Sequence, residues 1–175
     1  MPGKRKTKYL KSKKGSYFDL FYIAIVLFVS ALMIFVGFLV VSTFNNKIQA
    51  QSDISASTKA MINDKIAGKY PPVFDKLYLL VFIGSLLTAL IGAWMIDTHP
   101  VFFIVGIIIL IVICIITIAL HNTYERFIAE PAFSSMVVSF PIINFFMQHI
   151  LQIIIACAIL VMIVLYAKPK QEAQF

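Results

Sequence analysis

The chain has 175 residues, 61% of them hydrophobic and only 13% charged. A soluble domain is nearer half apolar and a quarter charged, so a water-facing globule is excluded and lipid is the expected solvent. The net charge of +7 does not describe a basic domain, because Lys4, Arg5, Lys6, Lys8, Lys11, Lys13 and Lys14 all fall in the first 14 residues.

That tail, residues 1–19, comes first. Its lysines are expected to orient the chain and touch anionic headgroups, each worth about 1 kcal/mol near the surface. The sharper alternative is a non-specific electrostatic contact with nucleic acid, since no series of base-stacking aromatics is interleaved with the charges. Residues 20–44 carry no charge and are long enough to cross a bilayer core. The run exceeds a signal-peptide core and no small-residue cleavage site follows closely, so it reads as an uncleaved anchor. Residues 45–76 are polar. Within them Ile54, Met61, Ile62 and Ile66 recur near a helical period, which predicts an amphipathic helix from Ser52 to Ala67, stopped by Gly68 and Pro71-Pro72.

The second span is 77–96 and the third 101–120. The short turn 97–100, Asp97-Thr98-His99-Pro100, makes them a tight antiparallel hairpin. Residues 121–149 are too apolar for an ordinary loop and too broken for one helix. The pattern predicts a short helix over Thr123–Ala129, a break at Pro131, and a segment that is interfacial or re-entrant, turning at Ser139–Pro141. That segment reads as a structural cap. The fourth span is 150–167, with a helix that can begin as early as Pro141, a residue suited to a first turn. A tail of residues 168–175 holds Lys168 and Lys170.

The expected fold is therefore all-α: an integral membrane protein with four transmembrane helices and short interfacial helices outside them. The lysine asymmetry puts both termini on the same, cytoplasmic-equivalent side. Tyr17, Tyr22, Trp94 and Tyr166 fall at one level and form an interfacial belt.

The second span carries two rows of small residues. Gly84, Thr88 and Gly92 form one; Ser85, Ala89 and Ala93 form the other. Such rows let helices approach closely where lipid removes the hydrophobic drive, the partner being the first or fourth span or another subunit, so leucine at Gly84 and Gly92 is expected to weaken association. The third span is ringed by isoleucine, Ile107, Ile108, Ile109, Ile111, Ile113, Ile115, Ile116 and Ile118, and is expected to face lipid.

Chemistry is sparse. The span cores hold no ionisable residue of the kind that coupled transport uses. Asn144, Gln148, Gln152 and His149 either line a path or satisfy one another. His121, Glu125, Glu130 and His149 could meet on the far side, with His99 on the opposite one, but no HxxxH or HExxH spacing supports a metal. Ser134-Ser135 lacks a base and a GxSxG frame. Asp97-x-His99 reads as a polar turn, and Cys114 and Cys157 as buried hydrophobes. No catalytic residue, cofactor or metal site is assigned, and no enzyme activity is expected.

The order of a basic tail, one span, a polar loop, a hairpin through IDTHPVFF, then NTYERF, SFPIINFF and a last span ending LYAKPK resembles small multi-span proteins of bacteriophages and similar viruses with an internal membrane. The resemblance implies a virion membrane protein, its tail facing the packaged genome and its outer loops the capsid shell. The expectation is a non-enzymatic structural or assembly component. Its partners would be membrane lipids and other membrane or capsid proteins in a homo- or hetero-oligomeric assembly. The alternatives are an accessory subunit of a cellular membrane enzyme complex and a holin-like pore former.

Overall fold

A computed structural model describes residues 17–95 and 101–167. The basic tail, the Asp97–Pro100 turn and the C-terminal tail lie outside the described residues. Among those described there is no strand, and the chain is an all-α protein. Four of its helical stretches are long and apolar enough to cross a membrane, which fits an integral membrane location.

The first helix, α1, spans Tyr17–Ala50. It outruns its expected end at Phe44 because its polar outer turns find partners. Asn45 donates from Nδ2 to Asn63 Oδ1 at 3.0 Å, and Gln49 donates from Nε2 to the Lys59 carbonyl at 2.9 Å. Lys59 returns a bond from Nζ to the Gln49 carbonyl at 2.9 Å. These partners belong to α2, Ala56–Asn63, which starts at Ser55, whose Oγ accepts from the Thr58 N–H.

The expected stop at Gly68 and Pro71-Pro72 does not occur. A π-helical turn over Asp64–Lys69 carries the rod straight into α3, Tyr70–Met95. Proline disrupts a helix by removing an N–H and crowding the carbonyl four residues back. A wide π-turn has already interrupted that ladder, so both prolines fit in the first turn of α3. Residues 56–95 are thus one long rod lying antiparallel to α1. Tyr70 stacks on Phe38 with ring centroids 5.4 Å apart. Gly37 makes this approach possible, since a Cβ there would lie 3.0 Å from the Tyr70 hydroxyl.

The next helix, α4, spans Val101–Ala129, so the short helix expected over Thr123–Ala129 is the continuation of the third span. No breaker separates the two, and the helix ends just before Pro131, as the residue preceding proline disfavours helical geometry. Pro131–Val137 forms α5, Pro141–Gln148 forms α6, and Ile150–Ala167 forms α7. Both α5 and α6 carry proline in the first turn. His149 kinks the chain between α6 and α7, yet the bonds His149 N→Phe145 O and Ile153 N→His149 O bridge the kink.

The segment expected at the interface therefore enters the bundle. Phe140, Ile143 and Met147 are fully buried, and α6 packs against α1, α3 and α4. Two ends of the bundle result. At the near end lie the start of α1 and the ends of α3 and α7, with Phe103 of α4 edge-on to Tyr166 at 5.3 Å. Tyr22, Trp94 and Tyr166 are exposed there. The far end contains α5, α6 and the stalk formed by α1 and α2. On α4, Ile107, Ile108, Ile111, Ile115 and Ile118 are exposed, but the expected isoleucine ring is not lipid-facing all round: Ile113 is buried with Thr117, and Ile109 and Ile116 are half-buried, because one face of α4 packs on the bundle.

Candidate functional site: a polar clamp around α6

The far end gathers the polar side chains that the bundle buries. Asp75 is only 3% exposed, five residues into α3. Its Oδ2 accepts from Ile142 N–H at 2.9 Å and its Oδ1 from Ile143 N–H at 2.8 Å. These are orphan donors of the first turn of α6. The N-cap position is Phe140, which has no side-chain acceptor, so Asp75 caps the helix from another element. A carboxylate there also meets the positive end of the helix dipole.

Three further groups hold the same helix. Tyr124 of α4 is fully buried and donates its hydroxyl hydrogen to Asn144 Oδ1 at 3.0 Å. Tyr78 of α3 donates to the Met147 sulfur at 3.6 Å. His121 Nδ1 lies 3.1 Å from the Met147 carbonyl oxygen, near the C-terminus of α6. A carbonyl can only accept, so Nδ1 carries the hydrogen. The other nitrogen, Nε2, is 3.3 Å from Glu125 Oε1.

Rings close the space between these bonds. Phe35 of α1 touches Tyr124, Phe127 and Phe140, with centroid distances of 6.2, 6.0 and 5.3 Å. Phe127 also packs on Phe133 of α5 at 3.9 Å. Phe146 meets Tyr78 and Phe82 edge-on. The helix α6 is thereby held at its start by a carboxylate, along its length by rings, and near its end by an imidazole.

Of the far-side residues singled out in the sequence, His121 and Glu125 do meet and Asn144 is used inside the clamp. Gln148 and Gln152 are exposed, and exposed His149 stacks on Phe145 at 4.7 Å. Ser134 bonds locally to the Pro131 carbonyl. Among the described residues, no three His, Cys, Asp or Glu side chains stand close enough together to hold a metal. Asp75, the residue on which α6 depends most, was placed by the sequence in a polar loop.

The small-residue rows separate. Ala89 and Ala93 are buried, and Ser85 is half-buried beside them. Gly84 and Thr88 are exposed, and a Cβ on Gly84 would meet nothing within 4 Å. Gly84 therefore meets neither the first nor the fourth span, which leaves another subunit among the partners expected for that row. A Cβ on Gly92 would lie 3.6 Å from Asp19 Oδ2, an ordinary contact. Gly84, Ser85 and Thr88 instead line a groove of about 400 Å³ between α1 and α3, with Asp19, Tyr22 and Leu80 on its walls. The hydroxyls of Ser85 and Thr88 are turned back on the Val81 and Gly84 carbonyls of their own helix.

No protein-family profile, curated protein or solved structure matches the chain. The functional reading rests on the molecule's own geometry.

Proposed function

We propose that the chain is a non-enzymatic, polytopic membrane protein that works by assembly with other components. The observation that carries this reading is the use to which the far end puts its polar groups. Asp75, Tyr78, Tyr124 and His121 each spend a hydrogen bond on α6. Buried polar groups committed to one another fix a shape. The fixed shape includes a stalk, in which α1 and α2 run on beyond the bundle and present surface away from it.

In this reading both termini lie on the cytoplasmic-equivalent side and the stalk on the other. The resemblance to small proteins of membrane-containing viruses suggests a virion membrane as the setting, with the stalk toward the shell and the basic tail toward the genome.

The test is chemical cross-linking in the native membrane or particle, followed by copy counting, alongside dye release from vesicles holding the pure protein. A fixed stoichiometry with tight vesicles is expected. A solitary chain that releases dye, or that turns over a substrate, would overturn the reading.

A further inference from the structure

The α1–α3 hairpin has apolar surfaces of unequal reach. On the α3 rod, exposed charge begins at Lys76 and continues outward through Lys69 and Asp64. On α1 the uncharged run continues to Phe44. The Asn45–Asn63 bond fixes the relative heights, setting Phe44 level with Asn63. Lys76 is 13 residues back along the rod from Asn63, about 20 Å lower at the rise of a helix. No single flat bilayer surface satisfies both helices. A surface at Lys76 leaves Val40 and Phe44 in water, and a surface at Phe44 buries Lys76 beyond the reach of a snorkelling lysine.

The apolar excess has one continuous form. Val29, Met33, Val36, Val40 and Phe44 recur every three or four residues, and all five are exposed, Val40 at 64% and Phe44 at 61%. The stripe runs about 22 Å along one face of α1, through the height at which charge begins and on into the stalk. Lipid can cover only its inner part. A water-soluble partner can cover only its outer part.

We infer that the stripe is the interface for a second copy of this chain, paired α1 to α1 in parallel about a two-fold axis normal to the membrane. A second copy inserted with the same orientation has an apolar surface of the same height on the same face, so it covers both parts at once. The two-fold axis sets each stripe residue near its own counterpart. The spacing of three and four residues suits knobs-into-holes packing of two such helices. Lys47, the next exposed position on that face, ends the stripe with a charge. This inference names the first partner within the assembly reading and rests on it.

The experiment places single cysteines at Val36, Val40 or Phe44 of the full chain, with Cys114 and Cys157 changed to alanine, and oxidises them in membranes. A cysteine at Val73, exposed on α3, is the control. Disulfide bonding needs Cβ atoms about 4 Å apart, so dimers should form at stripe positions and not at the control. In parallel, single-molecule counting in dilute bilayers should find two copies of the wild type. Val40→Lys with Phe44→Lys should weaken pairing by roughly tenfold or more, because the two-fold axis would set like charges against each other. A wild type that counts as one copy, or cysteines that cross-link no better than the control, overturns the pairing. If the single copy is then held in fixed stoichiometry by a different protein, assembly stands and the pairing alone fails. If it is solitary in its native membrane, both fail.

Discussion

The near and far ends of the bundle are held by different physics. At the near end, small side chains dominate the contacts: Ala24 of α1, Ala89 and Ala93 of α3 and Ala158 of α7 are all buried, so helix backbones come close. In lipid such close approach replaces the hydrophobic drive that water would supply. At the far end the core is filled by α6, by the rings of Phe35, Phe140, Phe146, Tyr78 and Tyr124, and by hydrogen bonds between elements. The difference teaches that a membrane bundle can take a short helix into its core without leaving backbone unsatisfied, provided that a neighbouring helix caps it. Asp75 is that provision, because Phe140 cannot cap α6 itself.

The comparison breaks most readily at Asp75. Asp75→Ala leaves the Ile142 and Ile143 N–H groups buried without an acceptor, and should cost about 3 kcal/mol of stability in denaturant titrations of the micelle-bound protein. Asp75→Asn keeps one acceptor oxygen and should fall between alanine and wild type. Comparable is Phe35→Ala, which empties the centre of the ring cluster and should cost about 3 kcal/mol by the same measurement.

The near end is sharpened by choosing between its two small-residue rows. Ala89→Leu overpacks a buried contact and should destabilise by about 1–3 kcal/mol. Gly84→Leu projects into the open groove and should leave the fold intact, within about 0.5 kcal/mol. Equal effects at the two positions would erase the distinction between the rows. Nearly as small is the effect expected of Tyr124→Phe, which loses one hydrogen bond to Asn144 while keeping its ring, about 0.6 kcal/mol by analogy with interhelical bonds in membranes.

What could be read in the sequence follows from how local each cause is. The four spans are legible because a bilayer demands about 20 apolar residues in one run, and each run announces itself. Pro141 as a helix start is legible because its preference is intrinsic to the residue. The extension of α1 to Ala50 was hidden because it depends on Asn63 and Lys59 across the hairpin. The passage of the helix through Pro71-Pro72 was hidden because its cause is a π-turn that no propensity marks. The clamp was the least legible part. Asp75 looks like any loop carboxylate until Ile142 and Ile143, 67 and 68 residues away, are brought to it. His121 and Glu125 stand one helical turn apart and were visible as a pair, but the carbonyl that His121 meets belongs to Met147. The small-residue rows are legible as a pattern, whereas the inward position of Ala89 and Ala93 depends on the rotation of α3 about its axis.

Hydrogen–deuterium exchange of the Ile142 and Ile143 amides, in the full chain held in a lipid disc, tests the clamp most directly. If Asp75 caps a helix inserted in the bundle, both amides exchange as slowly as those at the centre of α7, and Asp75→Ala speeds them while α7 stays protected. Exchange of both amides in the wild type at the rate of the exposed tip near Ser55 would contradict the account, because α6 would then be lying open at the surface.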